Sequence, residues 1–169
     1  MVNFNNTPKV STMEMEAVCY TREGALRKAI ELLQKSFESY LKTYKLSNNQ
    51  QSRELIKQLA LEEIDHKCAL EKALFGETFS FHDVTAKDEV IVKLPQKLEE
   101  KPLDENSTPP DVLIYAINNK KRSVVFYATM AFNCADAPME HLFKKLLKEE
   151  TNHLARLEKL YEQAYLEHS

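Results

Sequence analysis

The sequence contains only two glycines and no tryptophan among its 169 residues, and 29% of the residues are charged. Glycine mostly serves turns and strand junctions, so this composition favours an all-helical protein. The length suffices for one domain with a hydrophobic core. Positive and negative charges nearly balance at a net charge of −3. This balance gives no electrostatic reason to expect nucleic acid or an anionic membrane as a partner.

Cysteine is scarce as well, with Cys19, Cys68 and Cys134 alone. An odd number of cysteines cannot pair completely, and none of the three stands in a C-x-x-C arrangement. The sequence therefore predicts three free thiols in a reducing compartment. No apolar run is long enough to span a bilayer, and residues 1–16 lack the basic start and apolar stretch of a secretory signal. We expect a cytoplasmic protein.

Four long segments carry apolar residues at the spacing of one helix face. Thr21 stands where the N-cap of the first segment belongs, and Thr108 and Asp111 match a capping box before the third. Pro138 is expected to open the fourth. The predicted order starts with an N-terminal extension at residues 1–20. Four helices in two hairpins follow at about 22–46, 50–74, 109–135 and 138–166, and a crossover at 77–107 joins the hairpins.

The crossover differs in character from the helical segments. It is charged, contains Pro95 and Pro102, and holds one β-like run, EVIVKL, at residues 89–94. About thirty residues without a helix is long for a compact domain, but such a segment suits a chain that must travel the length of a bundle. Short links within each pair of helices and a long link between the pairs predict an all-α, antiparallel four-helix bundle of two helical hairpins.

The two hairpins look like copies of one unit. A shift of 87 residues overlays 25–74 on 112–161 without a gap, and fourteen of the fifty positions are identical. Chance would match about three or four at ordinary residue frequencies. The identities include an aligned E-E-x-x-H, which helical composition alone does not explain. We therefore infer an internal duplication.

An acid and an imidazole interrupt the apolar stripe of the second helix in each hairpin. Glu63 and His66 do so in LALEEIDHKCAL, and Glu150 and His153 do so in LLKEETNHLARL. A spacing of three places each pair on one helix face. Buried ionisable groups cost several kcal/mol each unless they are paired or metal-bound, and two carboxylates with two imidazoles suit iron, manganese or zinc. The remaining histidines have no such context and are interpreted as surface residues: His82, His141 and His168.

Paired E-x-x-H motifs on the second and fourth helices of a bundle with a long crossover resemble the ferritin-like di-iron proteins, and the rubrerythrin branch in particular. ALRKAIELLQKSFESYLK and VLIYAINNKKRSVVFYAT are similar to the first and third helices of that branch, and the resemblance covers about 21–166. The resemblance implies that Glu63 and Glu150 bridge two irons and that His66 and His153 each bind one. It also implies peroxide reduction or oxidation of ferrous iron as the activity.

The chain departs from the family at the two remaining metal ligands. The family supplies one terminal glutamate from the first helix and one from the third, each seven residues before a tyrosine. Counting back from Tyr40 gives Leu33, and counting back from Tyr127 gives Lys120. The C-x-x-C pairs that would hold a rubredoxin-like iron are absent too. Two nearby polar residues lie two positions away, on the wrong helix face: Glu31 and Asn118.

Lys120 changes the expected charge of the centre. Two negative charges remain without the terminal glutamates; Lys120 offsets one, and a protonated histidine would offset the other with no metal bound. An ammonium is a three-donor point charge that could lie between Glu63 and Glu150. The ammonium would repel a further unit positive charge 4 Å away by about 4 kcal/mol, with an effective dielectric constant near 20. Three states stay open: a metal-free cluster bridged by Lys120, a single-metal site with Lys120 swung away, and a two-metal site completed by water or an unidentified carboxylate.

Two classes of function follow. The first is a metal-binding oxidoreductase with iron, or with manganese or zinc in its place, in which Tyr40 and Tyr127 either contact the ligands through their hydroxyls or serve as core aromatics. The second is a non-enzymatic helical protein whose metal-free Glu/His/Lys cluster fixes helix register, acting as a structural or interaction module. We expect a homodimer. Three aromatic residues could mediate self-association, although a solvated face is the simpler interpretation: Phe132, Phe143 and Tyr165.

Overall fold

The computed structural model describes residues 12–78 and 101–165, and every regular element within these two stretches is an α-helix. α2 packs along α3, and α4 packs along α5. The predicted all-α bundle of two hairpins, with ferritin-like architecture, is confirmed. The helices follow one another as α1 (Thr12–Tyr20), α2 (Arg22–Leu46), α3 (Gln50–Leu74), α4 (Pro109–Asn133) and α5 (Glu140–Tyr165).

Side-chain caps define where two of the helices begin. The Thr21 hydroxyl accepts a hydrogen bond from the Gly24 amide at 3.0 Å and caps α2, as predicted. Thr108 and Asp111 form the predicted capping box of α4, in which the Asp111 carboxylate accepts from the Thr108 amide at 2.9 Å. Each cap satisfies amides that have no partner within the helix and stabilises the helix by about 1 kcal/mol.

The connection between α4 and α5 is a turn that delays the start of the last helix. Asp136 adopts a left-handed φ of 62°, and its amide donates to the Glu140 carboxylate at 3.0 Å. A left-handed residue cannot continue a right-handed helix. Pro138 still belongs to the turn, and the Phe143 amide donates to the Met139 carbonyl at 3.2 Å as the first bond of α5. The prediction that Pro138 opens the fourth helix is wrong, and α5 begins at Glu140.

A disulfide joins α1 to the end of α4. Cys19 and Cys134 are bonded, with their Cα atoms 5.0 Å apart, and both side chains are buried. Cys68 alone is a free thiol, and it is exposed. The prediction of three free thiols is wrong, because a buried contact between residues 115 positions apart leaves no trace in cysteine spacing. The cytoplasmic location stays a prediction and loses the thiol argument on which it partly rested.

The hydrophobic core divides into two clusters along the bundle. On α3, Leu70 belongs to the first cluster and Leu59 to the second; on α5, Leu146 belongs to the first and Leu154 to the second. Between these positions each helix buries a glutamate and a histidine instead of apolar residues. The ionisable side chains therefore form a polar layer between two apolar clusters.

The crossover ends beside the turn between α2 and α3. The Asn48 amide donates to the Glu105 carbonyl at 3.0 Å, and the Ser52 hydroxyl donates to the Ser107 carbonyl at 2.9 Å. The chain that leaves the end of α3 has thus returned to the start of that helix before α4 begins. The run EVIVKL, Pro95 and His82 lie outside the described residues, as do residues 1–11 and His168.

The three aromatic residues proposed for self-association differ in exposure. Phe132 is 81% exposed near the end of α4, whereas Phe143 is fully buried in the first apolar cluster. The prediction that Phe143 lies on an exposed face is wrong, because Phe143 packs on the buried side of α5. Tyr165 is half-buried, with its ring 5.5 Å from that of Tyr161.

Within the described stretches, no helix combines the length and apolarity needed to cross a membrane.

Candidate metal centre

Three helices bring the predicted ionisable residues together in the polar layer. Glu63 and His66 come from α3, Lys120 from α4, and Glu150 and His153 from α5. All five side chains are buried, with residue exposures between 1% and 7%. The two E-x-x-H pairs point inward and meet, as the duplicated stripe predicted.

Lys120 lies between the two glutamates. Its Nζ is 2.7 Å from Glu63 Oε1 and 3.1 Å from Glu150 Oε2. Burial disfavours the charged amine, but the negative charges of Glu150 and Glu63 outweigh burial and raise the pKa of Lys120 well above its usual value. The amine is therefore a charged ammonium at neutral pH, bridging the two carboxylates.

The pKa values of the two glutamates are shifted in opposite directions. Burial raises the pKa of Glu63, and the nearby Lys120 charge only partly offsets this. Burial also opposes the charge of Glu150, but Lys120 and His153 outweigh it and lower its pKa to about 2. Glu63 Oε2 accepts no hydrogen bond from the described residues. The firm negative charge of the centre thus lies on Glu150, and Glu63 is the carboxyl group that more readily takes a proton.

The two imidazoles stack on each other. Their ring centroids are 4.4 Å apart, and the ring planes differ by only 2°. Burial, followed by the charges of His153 and Lys120, lowers the pKa of His66 to about 3. His66 is therefore neutral at pH 7, so it is not the protonated histidine that the metal-free charge count invoked. A neutral imidazole is the form that binds metals.

One group of donors lies close enough for a metal ion. His66, Glu150 and His153 each offer a ligand atom, and these atoms all lie within 4.8 Å of one another. His153 Nδ1 is 3.5 Å from Glu150 Oε1. Ligand atoms about 2.0–2.2 Å from one ion can be at most roughly 4.4 Å apart, so small side-chain rotations suffice. Two imidazoles and one carboxylate form a familiar ligand set for zinc and for non-haem iron.

The family's two terminal glutamates have no replacement in the described residues. Leu33 is 4% exposed and belongs to the first apolar cluster, while Lys120 supplies a cation at the equivalent position of the repeat. Glu31 lies on the surface, where it pairs with Lys35 at 2.6 Å. Asn118 is buried but carries no charge. The described residues thus place no carboxylate at either of the two positions that the resemblance assigns to terminal glutamates.

Both predicted tyrosines are buried beside the cluster, in unlike surroundings. Asn119 Nδ2 donates to Ser36 Oγ at 2.7 Å and to the Tyr40 hydroxyl at 3.4 Å. Tyr127 has the Phe126 ring at 5.2 Å. Burial raises the pKa of Tyr40 and Tyr127, and Glu63 and Glu150 respectively are the next cause. Asn119 was not predicted, although the repeat alignment sets it against an apolar residue, Leu32.

The remaining described histidine lies apart from this cluster. His141 is exposed on α5, as predicted for a surface residue. It stands nine residues before Glu150, which corresponds to the opposite side of the helix. It is therefore a natural control position for experiments on the buried histidines.

The bundle and its paired E-x-x-H residues define a ferritin-like helical protein. A family model described as Rubrerythrin matches residues 25–161, which is most of the 169-residue chain. No curated protein matches the chain with significance, and no solved structure does so either. The chain belongs to the rubrerythrin family.

Proposed function

We propose that this rubrerythrin-family protein binds one divalent transition-metal ion per chain in place of two irons. The ligands are His66, Glu150 and His153, and Lys120 takes the place of a second cation between the carboxylates. The observation that carries the proposal is the buried group of these three donors, whose ligand atoms all lie within 4.8 Å of one another. The two-metal centre of the family is, on this proposal, degenerate.

Electrostatics supports one metal ion over two. A second divalent ion near Lys120 would be repelled by about 8 kcal/mol at 4 Å with an effective dielectric constant near 20. The two terminal carboxylates that would offset this repulsion are replaced by Leu33 and Lys120. The residues present therefore do not fit two metal ions.

A single ion fits the remaining donors. His66 is neutral at pH 7, and Glu150 stays ionised, so neither ligand must lose a proton before binding. Glu63 still pairs with Lys120 at 2.7 Å, so the ammonium keeps a carboxylate partner while Glu150 serves the metal. A bound ion would supply Lewis acidity to the buried layer. The protein residues hold the ion, exclude water and fix the orientation of Glu150 through Lys120.

A second candidate function has its own support. Lys120 already pairs with both glutamates, so the cluster holds together without any metal. In that alternative the chain is a non-enzymatic structural or interaction module whose buried ion pairs fix helix register. A homodimer stays a prediction in either form, to be measured by sedimentation of the purified protein.

Metal stoichiometry separates the candidates. The purified chain is stripped with a chelator and titrated with Zn(II), Mn(II) and Fe(II) without oxygen, and bound metal is measured per chain. We expect one ion, and we expect His153→Ala to abolish binding while the matched control His141→Ala retains it. Two ions per chain would contradict the proposal. If the chain binds no ion and added metal leaves its melting temperature unchanged, the metal-free module is favoured. A metal that binds the native state must stabilise that state against unfolding.

A further inference from the structure

We propose that Lys120 raises the Fe(III)/Fe(II) potential of iron held by His66, Glu150 and His153, so that the site favours the divalent ion. This inference rests on the proposed single-metal function and deepens it.

The Glu150 carboxylate lies between a candidate metal ligand and Lys120. Glu150 presents Oε1 towards His153 Nδ1 at 3.5 Å and Oε2 towards Lys120 Nζ at 3.1 Å. A metal held by Glu150 would share the charge of that carboxylate with the Lys120 ammonium. Oxidation of the ion would add one positive charge beside a carboxylate that is already paired with a cation.

Burial makes this repulsion effective. The side chains of Lys120 and Glu150 are 3% and 4% exposed, so water and salt screen the ammonium weakly. The other carboxylate that contacts this ammonium is Glu63, at 2.7 Å. In the described part of the chain, Leu33 fills the repeat-equivalent position with an apolar side chain. The ammonium therefore destabilises a trivalent ion more than a divalent ion at this site, because charge near a metal tunes its potential.

The reduction potential of the iron-loaded protein tests this directly. Fe(II) protein is titrated with ferricyanide, in which each Fe(II) loses one electron and each ferricyanide becomes ferrocyanide. Lys120→Met removes the ammonium and should lower the Fe(III)/Fe(II) potential by at least about 59 mV, which corresponds to tenfold for a one-electron couple. Lys35→Met is the control, because Lys35 lies on the surface of α2 and pairs with the exposed Glu31 at 2.6 Å. It should leave the potential unchanged.

A second variant covers the chance that Lys120→Met does not fold. Glu63→Gln keeps the ammonium and removes one negative charge, so it should raise the potential. Potentials that agree among wild type, Glu63→Gln and any folded Lys120→Met protein would overturn the inference while leaving the single-metal proposal intact. A chain that binds no iron at all would instead overturn the proposed function, and with it the premise of this inference.

Discussion

Replacement of Lys120 by methionine removes the ammonium from the centre of the bundle and keeps most of the side-chain volume. Glu63 and Glu150 then face each other in a buried layer with no cation between them. We expect a large loss in the free energy of unfolding when the protein is metal-free, because each carboxylate loses the partner that compensated its burial.

The size of the loss follows from the burial of the three groups. The side chains of Lys120, Glu63 and Glu150 are 3%, 2% and 4% exposed, so solvent screens the pair weakly. Removal of one partner from a buried ion pair costs about 3–5 kcal/mol. With a urea dependence of about 2 kcal/mol per molar, the midpoint should fall by roughly 1.5–2.5 M.

Urea unfolding with a chelator present, at pH 8 and at pH 5, measures the loss. In the wild type, the raised pKa of Lys120 means that its contribution is fully present at both values and is lost only above its unfolded pKa, near 10.4. In Lys120→Met we expect burial and mutual repulsion to raise the pKa values of both glutamates in the folded state. Protonation at lower pH should then remove part of the cost of burying two negative charges. The difference between the two proteins should be larger at pH 8 than at pH 5.

Lys35→Met provides the control. Lys35 is 69% exposed and pairs with Glu31, which is 48% exposed, at 2.6 Å, so we expect its loss to stay within about 1 kcal/mol, as for other surface pairs. A Lys120→Met loss below about 1 kcal/mol, the range of surface pairs, would refute the buried bridge. A difference that grows on acidification would refute it as well.

Three further predictions follow from the same structure. The double variant Leu33→Glu with Lys120→Glu should bind two divalent ions per chain in a metal titration; a folded variant that binds one or none contradicts our explanation of the lost site. Reduction of the disulfide between Cys19 and Cys134, which closes a separation of 115 residues, should lower the unfolding free energy by about 2–5 kcal/mol, and an unchanged urea midpoint would argue against the tether. Thr108→Ala should cost about 1 kcal/mol through the lost cap of α4, and Thr108→Ser should restore thermal stability if the cap is the cause.

The bundle was predictable because its signals are local. The stripe of apolar residues has the helical period, and the caps at Thr21 and Thr108 occupy the positions that their sequence context indicates. The start of α5 was misjudged because Pro138 suits a first helical position equally well in isolation. The turn after α4 extends through Pro138 to Met139, and α5 begins at Glu140.

The members of the buried cluster were predictable from the duplication. Glu63, His66, Glu150 and His153 interrupt an apolar pattern in both copies, and the repeat alignment marks Lys120 as the departure. Asn119 was missed, although it contacts Tyr40. A polar residue opposite an apolar one in a repeat is a signal, but it cannot be distinguished from a surface position without knowing the packing.

The sequence by itself determined the helices, the two hairpins and the identity of the inward-facing ionisable residues, because periodicity, caps and repeats depend on neighbours along the chain. Only the tertiary structure decided that Cys19 meets Cys134, that Lys120 lies between the two glutamates, and that Glu150 keeps the charge while Glu63 more readily takes a proton. Those outcomes depend on distances and burial created when separate helices pack. No local pattern encodes them.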